Sequence, residues 1–264
     1  MDRHGTACIT GASSGIGEVF ARRLAGQGYN LLLHGRRKER LEQLCFELQQ
    51  RNGIRAEFIL ADFSRPEEIR SVEDRIRGVQ DLELLVNNAG FGARKSFTRG
   101  AIEPQEEMIN THVFATVRLS HAALRGMLER NRGTIINVSS VAGFLVGPNS
   151  ATYCATKSYI TSFTESLHLE LNGTGIRIQA LCPGFTRSDF HARIGFDTSG
   201  DFFRNFMSAE EVVDASLRSL KGSKVICVPG IRYKLVVIAS RLLPRRVYYW
   251  IAQASRGSRL RSAE

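Results

Sequence analysis

Short apolar runs alternate with longer amphipathic stretches along this chain. Thr6–Thr10 reads as a strand and Ile16–Gly26 as a helix. Tyr29–His34 reads as a strand, and Lys38–Arg51 as a helix with Leu41, Leu44, Cys45 and Leu48 at helical spacing. Ile54–Leu60, Leu82–Asn87, Gly133–Val138, Ile176–Cys182 and Lys224–Val228 are further strands. Pro66–Arg77, a long region from about 102 to 130, Thr152–Leu171 and Ala209–Leu220 are further helices. Seven strands alternating with helices predict an α/β fold with a doubly wound, seven-stranded parallel sheet and helices on both faces. The runs LLL, FIL, LELLV, TIINV and KVICV suit strands buried on two sides.

Composition bounds this picture without changing it. Of 264 residues, 43% are hydrophobic and 23% charged, an ordinary globular balance that argues against disorder and low-complexity architectures. No uncharged apolar run approaches the ~20 residues of a membrane span. The start at Met1-Asp2-Arg3-His4 lacks a signal-peptide pattern. The five cysteines (Cys8, Cys45, Cys154, Cys182, Cys227) are widely spaced without a CxxC pair. They read as buried thiols in a reducing compartment, so the expectation is a cytoplasmic protein, peripheral at a membrane if attached to one, with no metal site.

Charge does change the picture. The chain carries +10, and residues 221–264 hold ten basic residues against a single acid, Glu264. The body is therefore near neutral and the C-terminal end strongly basic. Within that end, Leu235, Ile238, Leu242, Val247, Trp250 and Ile251 form apolar helical faces beside arginines, with Pro244 between two helices. A basic amphipathic element suits an anionic membrane surface or an acidic partner. The plainer alternative is two helices packed on the body or on a second subunit. Nucleic-acid binding would have to use this end, and no helix-turn-helix, RNP-like or zinc pattern accompanies it.

Candidate chemistry begins at Thr10-Gly11-Ala12-Ser13-Ser14-Gly15-Ile16-Gly17, between the first strand and the first helix. Glycines there allow a tight turn and close approach of a diphosphate to the helix N-terminus. Strand two ends at His34-Gly35-Arg36-Arg37, where an acid would bind the ribose 2′-hydroxyl of NAD and repel a 2′-phosphate. With two guanidiniums instead, the expected cofactor is NADP(H), with Arg36 as main phosphate ligand and Arg37 or Ser13 assisting. The alternative is that these arginines open a solvated helix face with Lys38 and Arg40. In Tyr153-Cys154-Ala155-Thr156-Lys157 the tyrosine and lysine share one helix face, one turn apart. A nearby ammonium is expected to lower a phenol pKa from its usual ~10 and fit it for acid/base work.

Together the G-x-x-x-G-x-G loop and the Y-x-x-x-K pair resemble the short-chain dehydrogenase/reductase family, in its short single-domain branch. The resemblance covers roughly residues 5–230 and implies a Rossmann-type fold. It implies that Gly11, Ser13, Ser14, Gly15, Ile16 and Gly17 cradle the cofactor, and Gly35 stands where NAD-using members usually carry Asp. It implies that Asp62 contacts adenine and that Asn87-Asn88-Ala89-Gly90 braces the sheet and lines the cleft. Pro183, Gly184 and Thr186, with Ser188, are implied at the nicotinamide end. Asn110 matches the family's helix-kinking Asn, implied to support a water that links Lys157 to solvent. Ser140 is implied to hydrogen-bond a substrate carbonyl, Tyr153 to donate a proton to its oxygen, and Lys157 to hold the nicotinamide ribose.

The implied activity is NADP(H)-dependent reduction of a ketone or aldehyde, or oxidation of the secondary alcohol. An NADPH-binding sensor without turnover is the alternative, and the intact Asn110, Ser140, Tyr153, Lys157 set argues against it. In organisation, residues 1–230 are expected to form one catalytic domain that includes a substrate lid over 185–207, followed by the basic extension 231–264. The lid holds Phe185, Phe190, Phe196, Phe202, Phe203 and Phe206, which suits an apolar or bulky substrate such as a fatty-acyl or steroid-like ketone, or rings that simply pack the lid down. His191 reads as a solvated or packed residue rather than a second acid. A homodimer through the helices around 102–130 and 152–171 is the expected assembly, since the basic end departs from the family's tetramer-building terminus.

Overall fold

A computed structural model describes residues 4–92, 96–187, 206–250 and 252. The seven strands are β1 (Thr6–Thr10), β2 (Asn30–Gly35), β3 (Ala56–Leu60), β4 (Leu82–Asn87), β5 (Gly133–Val138), β6 (Ile176–Leu181) and, after a short pair described below, β9 (Ile226–Cys227). They form one parallel sheet in the order β3-β2-β1-β4-β5-β6-β9. The chain runs outward from β1 to β3, then returns to the other side of β1 for β4. Connections therefore diverge above the carboxyl ends of β1 and β4, where an open α/β sheet forms a crevice.

Side-chain alternation along the strands builds two cores. Ala7 and Ile9 face one side, against Phe20 and Leu24 of α1 (Gly15–Gly26), Leu41 and Leu48 of α2 (Lys38–Asn52), and Val212 and Val213 of α7 (Ala209–Ser219). Cys8 and Leu85 face the other, against Ile69 and Val72 of α3 (Pro66–Arg77) and Leu119 and Met127 of α5 (Ala115–Glu129). Buried Glu73 joins the last two helices, paired to Arg77 and to Arg118 at 2.5 Å.

Periodicity placed the elements well, and two features of the connections have local causes. The long helical region expected over 102–130, in which the resemblance implies a kink at Asn110, is divided into α4 (Glu103–Ile109), a π-helical turn (Asn110–Phe114) and α5. Within the turn the Asn110 carbonyl accepts from the amide of Ala115, one residue further than in an α-helix, and the Asn110 side chain donates to the Ser64 carbonyl at 3.0 Å. The segment 185–207 is not irregular at its ends, because β7 (Thr186–Arg187) pairs in parallel with β8 (Met207–Ser208). Residues 188–205, with Ser188, Phe190, His191, Phe196, Phe202 and Phe203, lie outside the described residues. Ser208 closes a capping box on α7: its hydroxyl accepts from the Glu211 amide at 3.1 Å, and the Glu211 carboxylate accepts from the Ser208 amide at 2.7 Å.

The chain after β9 forms α8 (Ile231–Leu242), and residues 245–250 are again helical. No helix among the described residues is long and apolar enough to cross a membrane. No group of metal-ligating side chains occurs among them either.

Candidate active site

A cleft of about 550 Å³ opens above the carboxyl ends of β1 and β4. Contacts on its floor, sides and ends set its shape. At the bottom, the Thr10 hydroxyl accepts from the amides of Asn88 and Ala89 at 2.9 and 3.0 Å. The Asn88 side chain returns a hydrogen bond to the Thr10 carbonyl at 2.9 Å. Asn87 reaches the other way, donating to Asn137 on β5 and Ser120 on α5. Stitching β1 to β4 fixes the separation of the two loops that flank the crevice.

On one side lies the glycine loop. Gly11 and Gly15 have φ of +67° and +56°, left-handed values that disfavour any side chain. A Cβ on Gly17 would run into the Gly11 carbonyl, so α1 starts close against the loop. The first amides of a helix have no intrahelical partner and carry its positive dipole end. Those of α1 begin beside Ser13, Ser14, Gly15 and Ile16, all of which line the cleft. Gly17 packs behind them.

His34, which sequence reasoning left unassigned, sits beneath this loop. It is buried and stacks on Phe63 at 3.9 Å between ring centroids. Its Nδ1 accepts from the Gly11 amide at 3.4 Å, so Nε2 is the donor to the Ala61 carbonyl at 3.0 Å. Burial pushes its pKa down to about 4, which keeps the ring neutral.

At the far end Arg36, Arg37 and Asp62 line the cleft. Arg37 is anchored: it donates to the Ser13 carbonyl at 2.6 Å and to the Ser13 hydroxyl at 3.3 Å. Arg36 is 61% exposed and faces Asp62 at 3.4 Å. Burial raises the Asp62 pKa, but hydrogen bonds from Ser64 and the Arg36 charge outweigh it and hold the carboxyl below its usual value. A Cβ on Gly35 would press on the Ser13 hydroxyl at 3.2 Å. Glycine loop, helix end and paired guanidiniums fit a dinucleotide, phosphate groups included.

On the opposite wall stands α6 (Ala151–Glu170), which carries Tyr153 and Lys157. Ser140 follows β5 and caps a short 3-10 turn (Val141–Phe144), accepting from the Ala142 amide at 3.1 Å. Ser139 is buried with its hydroxyl given to the Lys157 carbonyl at 2.7 Å, so of the serine pair Ser140 is the one that faces Tyr153. Lys157 donates from Nζ to the Val138 carbonyl at 3.0 Å and lies 5.9 Å from the centre of the Tyr153 ring.

The pKa values differ from the sequence expectation. Burial pushes the Tyr153 phenol up to about 12, against a downward pull from the Ser140 hydrogen bond. Burial brings Lys157 down to about 8. The lowered phenol pKa expected from Lys157 is thus corrected: loss of water around the phenolate is the largest cause, and it raises the value.

Asn110 is not part of the cleft lining, and its neighbour Thr111 is. His112, another residue the sequence did not single out, lies behind the site. Its Nε2 accepts from the Phe91 amide at 3.1 Å and its Nδ1 meets Thr156 at 2.9 Å. Gly90 is required here, since a Cβ would come within 2.9 Å of the His112 ring. The only sequence signal for His34 is its place after the apolar run Leu31–Leu33, and His112, in Asn-Thr-His-Val-Phe, has none.

The nicotinamide end expected at Pro183, Gly184 and Thr186 lies in the same cleft. Tyr233 from α8 joins it: its ring occupies the space a Cβ on Gly184 would need, and its hydroxyl donates to the Phe185 carbonyl at 3.3 Å. Phe185 stacks on buried Phe206 at 4.8 Å, so these two rings pack the base of the 185–207 segment. Leu145, Cys154, Phe91 and Tyr233 complete a largely apolar wall beside Tyr153.

Comparison with known proteins places this geometry. Residues 5–198 match the family model described as short chain dehydrogenase. A very-long-chain 3-oxoacyl-CoA reductase from Anas platyrhynchos is 36% identical over 186 residues, which is 67% of this chain and 58% of that protein. Among solved structures, a Sphingobium yanoikuyae short-chain dehydrogenase in complex with NADPH is 33% identical, with a TM-score of 0.82 over 90% of this chain and 93% of that one. A bulky-bulky ketone specific alcohol dehydrogenase from Comamonas testosteroni is 29% identical, with a TM-score of 0.77 over 96% and 92%.

Proposed function

This chain belongs to the short chain dehydrogenase family, and on that footing we propose that it is an NADP(H)-dependent oxidoreductase that reduces a bulky, apolar ketone or oxidises the matching secondary alcohol. The observation that carries the reading is convergence. Ser140, Tyr153 and Lys157 meet the glycine loop, Arg36 and Arg37 in one cleft.

When bound, the nicotinamide supplies the hydride. The rest is the work of this chain. The amides of Gly15–Gly17 and the α1 dipole receive the diphosphate. Arg37, already locked on Ser13, presents a guanidinium for a 2′-phosphate, and Arg36 joins it by leaving Asp62. No acid occupies the Gly35 position to repel that phosphate. Asp62, Asn88, Ala89 and Gly90 line the adenosine side and floor. Pro183, Gly184 and Thr186 hold the nicotinamide end, and Lys157 its ribose.

Ser140 donates a hydrogen bond to the substrate carbonyl oxygen and Tyr153 passes its proton to it. With its pKa near 12, the phenol holds that proton at neutral pH, the state reduction requires. Asn110 acts at one remove, by starting the π-helical turn that brings Thr111 to the cleft and His112 behind α6. The apolar wall of Leu145, Phe91 and Tyr233 favours a bulky substrate. The duck relative is named for a long acyl chain and the Comamonas enzyme for bulky ketones, which supports that class. The catalytic unit lies within residues 1–230, and the segment after it lends Tyr233. Exposed Ile109, Phe114 and Tyr159 on α4, the π-helical turn and α6 suit a homodimer.

The test is NADPH oxidation over ketones graded by bulk, with Tyr153→Phe in parallel. Turnover that rises with apolar size and falls at least about a hundredfold in the variant, with NADPH affinity kept, is the expected result. Tight NADPH binding with no turnover on any ketone would replace the enzyme reading with that of a sensor.

A further inference from the structure

The segment after β9 has two faces of different character. Its inner face is tied to the mouth of the cleft. Tyr233 packs on Gly184, Val237 is buried, and Arg241 lies 5.1 Å over the Phe144 ring. The Tyr248 hydroxyl accepts from the Val146 amide at 2.7 Å and donates to the Val146 carbonyl at 2.9 Å. These contacts hold both helical stretches against the 3-10 turn and loop that follow Ser140.

Its outer face is apolar and uncovered. Ile231, Leu235, Ile238 and Leu242 recur at steps of four, three and four residues, and their exposure runs from 52% at Ile238 to 78% at Leu242. Val247 and Trp250 extend the exposed apolar surface into 245–250. Arg232, Lys234, Arg245 and Arg246 stand among these residues, without one acid between 231 and 250. A large apolar strip on a fixed helix marks an interaction surface. Charge decides what meets it. A second copy would bring the same cations face to face with these, whereas an anionic bilayer complements them and takes up the apolar side chains.

We propose that the outer face of residues 231–250 is a docking surface for an anionic lipid bilayer. Because the inner face is bound to the cleft mouth, docking sets that mouth next to the headgroups. An apolar substrate dissolved in the membrane then enters without crossing water.

Trp250 is the chain's sole tryptophan and is 70% exposed, so it reports directly. The full chain is mixed with phosphatidylcholine vesicles with and without phosphatidylserine. Co-sedimentation and a blue shift of Trp250 emission are expected with the anionic vesicles only, and both are expected to fade as salt is raised. Leu235→Gln with Leu242→Gln should cut the bound fraction at least about tenfold. Lys234→Gln with Arg245→Gln and Arg246→Gln should weaken binding about a hundredfold. Turnover of a water-soluble ketone serves as the folding control and should stay unchanged in both variants. The vesicle readout holds whether or not the proposed reaction is right. Equal binding to neutral and anionic vesicles, no binding, or binding that survives both variants would overturn the proposal. So would sedimentation velocity in which the leucine variant turns a dimer into a monomer, since a second copy would then be the occupant.

Discussion

His112 donates from Nδ1 to the Thr156 hydroxyl across 2.9 Å of buried space. The direction follows from Thr156, whose own proton goes to the Tyr153 carbonyl at 3.0 Å. With Nε2 accepting from the Phe91 amide, the ring is neutral and bridges the loop after β4 to the turn of α6 that carries Tyr153. Burial, reinforced by the Lys157 charge, keeps its pKa well below the usual value.

His112→Ala leaves the Phe91 amide without its acceptor and the Thr156 hydroxyl without its donor, at roughly 1–3 kcal/mol. Denaturation should show that loss, and kcat should fall more than the KM for NADPH, because Tyr153 is displaced while the glycine loop is not. His112→Asn, which keeps a donor and an acceptor, should recover part of both. Equal losses of kcat in the two variants would remove the positioning role.

Lys157 sets a pH dependence. Its pKa is lowered to about 8, so the ammonium is present below that pH and lost above it. Reductive kcat/KM should be flat near neutrality and fall as pH rises through about 8. In Lys157→Arg that limb should disappear from the measurable range, because a guanidinium stays charged. A pH–rate profile of both proteins checks this.

Arg37 and Arg36 should differ in kind. Arg37→Ala removes a guanidinium and also frees Ser13, so NADPH affinity should fall about ten- to a hundredfold and NADH affinity should fall as well. Arg36→Ala leaves the loop intact, so it should lower NADPH affinity alone. Titration of both cofactors against each variant separates the two effects.

His34 makes the fold acid-sensitive. Its folded pKa of about 4 lies below the unfolded ~6.5, so the unfolded chain binds the extra proton between those values. Stability is therefore lost as pH falls from about 6.5 towards 4, by about 3 kcal/mol in all. Chemical denaturation at a series of pH values should show that slope. His34→Gln, which still accepts from Gly11 and donates to Ala61, should flatten it.

Much of the site is legible in the chain because it is local. The glycine spacing, the Tyr153–Lys157 step and the serine pair each lie within one turn or loop, and each adjoins an element whose period is visible. The strands could be placed for the same reason, since burial of the central ones leaves short, mostly apolar runs such as Leu31–Leu33 and Leu84–Val86. Even the break in the helix at Asn110 rests on one residue.

Contacts between distant segments were another matter. His34 meets Gly11 and Ala61, His112 meets Phe91 and Thr156, and Tyr233 meets Gly184 only once seven strands are in register. The division between Arg37 and Arg36 turns on where Ser13 lies, and the Tyr153 pKa turns on what the folded chain packs around the phenol. Periodicity and spacing determine which face of an element is apolar and which groups share it. Burial, the partner of a buried polar group and the neighbour of a charge are properties of the assembled molecule, so they were decided only when the elements packed.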